Sequence, residues 1–181
     1  MPDLTSARHA PLLAMSPGVR PLPPVARWIL RGGTKVRMAA ERGLSLEFPA
    51  MACRAVAQGE RAALWLGPDE WLLIAGGRAA DAAQAALGSA LAGLAHSLVD
   101  VSHRQVALEV SGAQARSLLA AGCPLDLDPD AFPLGMCTRT MLGKAEVVLW
   151  RSAADVFRIE VWRSFAPYVS AFLAEAARGI P

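Results

Sequence analysis

The sequence predicts an α+β fold made of two pseudo-repeated halves, each an antiparallel sheet with helices on one face. Three observations predict it. Strand-like runs come in hairpin pairs, Arg61–Leu66 with Glu70–Ala75 and Glu146–Arg151 with Val156–Trp162, which suits antiparallel pairing better than a doubly wound parallel sheet. A helical stretch follows each pair. The chain also matches itself after a shift of 79 residues: Gly33 meets Gly112, Arg37 meets Arg116, Gly43 meets Gly122 and Leu46 meets Leu125. Further on, Ala63–Leu66 and Trp71–Ala75 correspond to Val147–Trp150 and Phe157–Val161 at offsets of 84 and 86, which places the extra residues in turns.

The elements follow in order. Residues 1–24 contain Pro2, Pro11, Pro17, Pro21, Pro23 and Pro24, six of the thirteen prolines, and read as an extended arm. Its apolar residues (Leu12, Leu13, Met15, Val19, Leu22 and the adjoining Val25) show neither a helical nor an alternating pattern that would fold it onto its own domain. Residues 25–181 read as a single compact domain of two half-repeats, about 25–96 and 97–181. Trp28–Arg31 is a short strand, and Thr34 is placed to cap a helix over Lys35–Arg42 that Gly43 stops. Gly67-Pro68-Asp69 turns the first strand pair, and Asp81–Leu94 reads as a helix. Ser97–Val101 and Gln105–Val110 are strands, followed by a helix over Ala113–Ala121 that Gly122 stops. Cys137–Met141 is a strand. The last helix begins at a Ser164 cap. Phe165, Tyr168, Val169, Phe172, Leu173 and Ala176 line one face, and Gly179 ends it.

Composition narrows the function. At 181 residues the chain holds one domain by the usual measure of about 150 residues each, with 54% hydrophobic residues. That apolar excess suits a partner surface. Its apolar runs fall far short of the roughly 20 residues a bilayer span needs. The N-terminus has no basic segment followed by an apolar core, so a cytoplasmic chain is expected. Eighteen Lys+Arg against sixteen Asp+Glu are scattered and make no nucleic-acid stripe. Cys53, Cys123 and Cys137 show no C-x-x-C spacing, and His9, His96 and His103 do not cluster with them. No metal site is expected.

The stretch CTRTMLGKAEVVLWR, residues 137–151, looks chemical but completes no known constellation. Seven residues separate Gly135 from Gly143-Lys144 and Ala145 follows the lysine, so the phosphate-loop spacing and its magnesium-binding hydroxyl are missing. Cys137 has Arg139 two residues on, a cation able to lower a thiol pKa, but no nearby histidine base, and a half-buried strand cysteine is the simpler reading. Asp100, Ser102 and His103 offer the residue types of a triad, yet neighbouring strand residues point to opposite faces and cannot relay a proton locally. Glu146 is a lone acid where acid–base chemistry wants a pair. Arg151 and Arg163 end strands, where anion binding and simple solvation are both open. The residues thus assign no catalytic, cofactor-binding or metal-binding role.

Val99–Leu119, with Asp100, Ser102, His103, Val110, Gly112, Ala115 and Leu118-Leu119, resembles the folate-binding aminomethyltransferase superfamily, the glycine-cleavage T-protein and its relatives. More closely, Gly122, Pro124, Asp126-Leu127, Phe132, Gly135, Cys137, Arg139-Thr140, Leu142-Gly143-Lys144, Trp150-Arg151, Arg163-Ser164-Phe165 and Tyr168 resemble the γ-subunit family of heterotetrameric sarcosine oxidase. The likeness runs over roughly residues 25–179 and includes Trp65–Ile74. It implies an accessory subunit of a complex that oxidises sarcosine to glycine with hydrogen peroxide and, given tetrahydrofolate, methylene-tetrahydrofolate. It also implies α, β and δ subunits as partners, with FAD, FMN, NAD and tetrahydrofolate on those partners and none on this chain. Where the transferases carry an acidic pair, this chain has only Ala145-Glu146, and Trp162-Arg163 stands where they favour asparagine. The resemblance therefore implies a transferase fold without its site, residues 137–151 being a hairpin that serves a subunit contact. The alternative is a stand-alone folate-binding aminomethyltransferase-like protein with Glu146 as its acid.

Overall fold

A computed structural model of the chain describes residues 16–77 and 79–180. Among the described residues, ten strands and four helices follow one another: β1 Val19–Pro21, β2 Ala26–Arg31, α1 Thr34–Leu44, β3 Ala55–Gln58, β4 Arg61–Gly67, β5 Glu70–Ala75, α2 Ala79–Leu91, β6 Ser97–Asp100, β7 Gln105–Ser111, α3 Ala115–Ala120, β8 Cys137–Leu142, β9 Ala145–Ala153, β10 Val156–Trp162 and α4 Ala166–Arg178. The fold is α+β with two antiparallel sheets, as the hairpin pattern predicts. None of the helices is long and apolar enough to cross a membrane.

The two five-stranded sheets have the same order, β6-β2-β5-β4-β3 and β1-β7-β10-β9-β8. Under the 79-residue shift β2 matches β7, and the leader strand before each matches too, Val19 falling on Leu98 and Pro21 on Asp100. The leaders are exchanged. β1 precedes β2 in the chain but pairs with β7, Val19 opposite Val110. β6 precedes β7 but pairs with β2, Ile29 opposite Val99. The exchange makes the pairing non-local, so no local sequence signal reveals it.

The chain divides into two compact units. The first holds residues 25–102 and 135–138. Its core is built from the inward faces of β2 and β5 (Trp28, Leu30, Trp71, Leu73) against Leu87 and Leu91 of α2. Full burial of each leucine stabilises the unit by about 1.5–3 kcal/mol. Two helix-end expectations are corrected here. Thr34 opens α1 without a side-chain cap bond, the cap position being Gly33 in extended backbone. Gly43 lies inside the helix, which instead ends at Ser45 with φ +48. The reason is packing: a Cβ at Gly43 would come within 3.0 Å of the Ala90 Cβ and 3.1 Å of the Ala86 carbonyl oxygen. The glycine lets α1 and α2 approach each other. The Ala- and Gln-containing β3 has no strand signal strong enough to read from sequence.

The second unit holds the described residues up to Pro24, then 103–134 and 139 onward. Residues 1–15 of the proline-rich segment lie outside the described residues. The remainder turns at Pro17-Gly18 and then runs as β1, and Ser111 N–H donates to the Gly18 carbonyl at 2.7 Å while Leu22 N–H donates to that of Ala107 at 2.9 Å. The expectation that nothing in this segment folds back on its own domain fails at Val19, which is buried. Pro21 is tolerated because β1 is an edge strand, where a missing N–H breaks no ladder. In α4 the buried side is Ala166, Val169, Ser170 and Leu173. Phe165 and Tyr168 of the expected apolar face are exposed, and Phe165, not Ser164, holds the N-cap position.

Candidate functional site

The sequence candidates fall at six places, and at four of them the residues do structural work. Cys137 opens β8 and is fully buried. Its S–H lies 3.2 Å from the Arg54 carbonyl oxygen and 3.5 Å from that of Trp65, and its N–H donates to the Cys53 carbonyl at 3.0 Å. Burial, and then the neighbouring Cys53, push the thiol up to about 12, against the hydrogen bond to the Trp65 backbone and the charge of Arg54. A thiol held there stays protonated at neutral pH and is no nucleophile. The cation acting on it is Arg54 rather than Arg139. No sequence signal marks Arg54, because it is brought in by the isolated bridge of Arg54 with Met136.

Asp100 and Ser102 end β6 with a turn: Ser102 N–H donates to Asp100 Oδ1 at 2.8 Å. Ser102 Oγ then accepts the N–H of Arg27 at 2.8 Å and lies 3.4 Å from the Arg27 carbonyl oxygen, while Val101 N–H donates to that same carbonyl at 2.9 Å. The hydroxyl extends the β2–β6 ladder past its end. His103 is exposed.

Gly143 and Lys144 make the β8–β9 turn, with Gly143 at φ +58, a conformation glycine adopts without strain. Lys144 N–H donates to Tyr168 Oη at 3.0 Å, and Gly143 N–H donates to the Gly122 carbonyl at 2.9 Å. A Cβ at Gly143 would strike the Tyr168 hydroxyl, and one at Gly122 would strike the Phe172 ring. The two glycines thus let α4 lie on the hairpin tip. No phosphate cradle forms there. Arg151 is buried. Its Nη1 donates to the Phe132 carbonyl at 2.9 Å, its Nε to that of Ala154 at 3.0 Å, and its Cζ lies 5.7 Å from the Phe157 ring centroid. Sequence leaves this arginine as a strand end, yet it is a buried tie between the 126–134 loop and the β9–β10 turn.

Glu146 is exposed on β9 between the buried Ala145 and Val147. Arg163 follows β10, its N–H donating to the Arg104 carbonyl at 2.8 Å. Among the described residues, no three His, Cys, Asp or Glu side chains gather as a metal-binding group.

The class that the architecture defines is one of fold, the aminomethyltransferase type. The glycine cleavage system aminomethyltransferase T from Bartonella henselae matches with a TM-score of 0.66 over 89% of this chain and 46% of its own, at 16% identity, a likeness of fold. The model of the sarcosine oxidase, gamma subunit family matches residues 33–179. The chain belongs to that family. Sarcosine oxidase subunit gamma from Corynebacterium sp. (strain P-1) is 37% identical over 115 residues, 64% of this chain and 56% of the relative. The subunit from Arthrobacter sp. is 41% identical over 91 residues, 50% of this chain and 44% of the relative. The chain thus matches about half the length of these relatives. The solved heterotetrameric sarcosine oxidase from Corynebacterium sp. U-96, in complex with pyrrole 2-carboxylate, contains a chain with TM-score 0.83 and 27% identity, covering 89% of this chain and 83% of that one.

Proposed function

We propose that this chain is the γ subunit of a heterotetrameric sarcosine oxidase and that its own part is architectural. In this reading the complex demethylates sarcosine oxidatively to glycine, forming hydrogen peroxide and, with tetrahydrofolate, methylene-tetrahydrofolate. The α, β and δ subunits are its partners and carry FAD, FMN, NAD and folate. The observation that carries the architectural part is the engagement of the signature residues. Gly122, Gly143 and Tyr168 form a packing lock, Arg151 ties two loops by its guanidinium, and Cys137 is a buried, protonated thiol. The residues present also fit folate chemistry poorly. Glu146 stands exposed between two buried apolar residues of its strand, and that strand carries no second acid beside it.

The test is co-expression with the genes encoded beside it. The expected result is one assembly that oxidises sarcosine, while the purified chain alone is colourless and releases no peroxide. A yellow isolated chain, or peroxide from it, defeats the proposal. Calorimetric titration with tetrahydrofolate separates the stand-alone transferase reading, which requires tight binding that is lost in Glu146→Gln.

A further inference from the structure

We propose that Trp162, Phe165 and Tyr168, with Met141, form a docking surface for an apolar face rimmed by carboxylates on another subunit. The proposal rests on the multisubunit reading above. These four are among the large hydrophobics the chain leaves exposed, at 42%, 41%, 37% and 41%. They come from one region of the second unit. Phe165 N–H donates to the Trp162 carbonyl at 2.8 Å, so both side chains leave a single turn. Tyr168 follows Phe165 by three residues at the start of α4, on the same side. Its hydroxyl takes the Lys144 N–H at the hairpin tip, three residues past Met141. Single exposed apolar residues are ordinary, but exposed Trp, Phe and Tyr side chains from one turn and the helix start after it are what interface centres are made of.

The patch is also pre-shaped. The Tyr168 hydroxyl is held by a backbone donor, its ring centroid lies 6.3 Å from that of Phe172, and Arg104 Cζ lies 5.3 Å over the Trp162 ring. Ordered rings lose little further entropy on docking.

Charge selects the occupant. Arg104 covers the Trp162 ring, Arg163 follows Trp162 in the chain, and Lys144 sits beside Tyr168. Against these three cations stand Glu146, which the register of Val147 with Val161 places next to Trp162, and Glu160, two residues before Trp162 on its strand, which is buried and paired with Arg158 at 2.7 Å. A second copy of the chain in a two-fold contact would bring this basic rim against itself, like charge facing like. A surface with an apolar centre and an acidic rim complements it.

The experiment uses the full chain and the subcomplex of the remaining subunits, with affinity measured at low and high salt. Trp162→Ala with Phe165→Ala should weaken assembly by about 30-fold, the equivalent of about 2 kcal/mol, and leave the chain's own thermal unfolding unchanged. Arg104→Glu with Arg163→Glu should weaken assembly and flatten its salt dependence. The second pair decides if the first melts early. A wild-type chain that captures none of the subunits defeats the multisubunit reading itself and this surface with it. Capture by the wild type and by both variants with equal affinity defeats the surface alone. A self-dimer in sedimentation that Trp162→Ala abolishes, or binding to anionic phospholipid vesicles through the same residues, would replace the proposed occupant and overturn the proposal.

Discussion

Replacing Gly143 by alanine should expose how α4 is fastened to the β8–β9 hairpin. Gly143 has φ +58, where an added Cβ costs about 1–2 kcal/mol from backbone sterics alone. The same Cβ meets the Tyr168 hydroxyl, which must withdraw and release the 3.0 Å bond from Lys144 N–H, a further loss of about 1 kcal/mol. The total is about 2–3 kcal/mol. For a chain of this size each kcal/mol moves the thermal midpoint by about 2–4 °C, so the midpoint should fall by about 4–12 °C. Tyr168→Phe alone should lose about 1 kcal/mol, because only the hydrogen bond goes. In that background the methyl meets no hydroxyl, and Gly143→Ala should cost only the backbone part. The double-mutant cycle should therefore show a coupling of about 1 kcal/mol. Urea and thermal unfolding followed by tryptophan fluorescence measure all four proteins. Equal costs of Gly143→Ala in the two backgrounds would refute the hydroxyl lock. A cost below about 0.5 kcal/mol would refute the backbone argument as well.

Three other outcomes are expected. Native Cys137 should resist alkylation at neutral pH, and because its folded pKa of about 12 lies above the ordinary 9.0, its contribution to stability is whole below pH 9.0 and is lost as pH climbs toward 12. Denaturant titrations at intervals above pH 9 should show the wild type losing stability relative to Cys137→Ala by up to about 1.4 kcal/mol per pH unit, and parallel curves would contradict it. Arg151→Met removes the donors to the Phe132 and Ala154 carbonyls inside the fold and should cost about 3 kcal/mol in chemical denaturation. A chain beginning at Leu22 lacks β1 and the burial of Val19, so it should unfold with about 2 kcal/mol less stability than one beginning at Ser16, and equal calorimetric midpoints would show that the strand contributes nothing.

Much of the secondary structure was legible because its signals are local. The apolar runs in residues 61–75 and 145–162, with turn residues between, specify hairpins whose partners lie a few positions away. The 79-residue self-match reaches further, and both sheets obey it. The family pattern was also readable as residues, from Gly122 through Tyr168, though not what those residues do. Where the reading stopped, the determining contact was distant in the chain. Gly43 looks like a helix stop because glycine favours that position, but Ala86 and Ala90 of α2 make it a packing glycine. Arg151 looks like a solvated strand end, and only the return of the Phe132 loop and the Phe157 ring makes it a buried tie.

By itself, then, the sequence determined the hairpins, the repeat and the absence of a complete catalytic set within any local stretch. Tertiary structure alone decided which sheet each leader strand joins, β1 going to β7 and β6 to β2. It also decided that Tyr168 closes over Gly143 and that Cys137 is buried under the Arg54 and Trp65 carbonyls. The physical reason is that an edge strand of three or four residues has little pairing preference of its own. Its place is set by whichever sheet edge offers unpaired N–H and C=O groups and a pocket for a side chain such as Val19, and that edge exists only once the chain has folded.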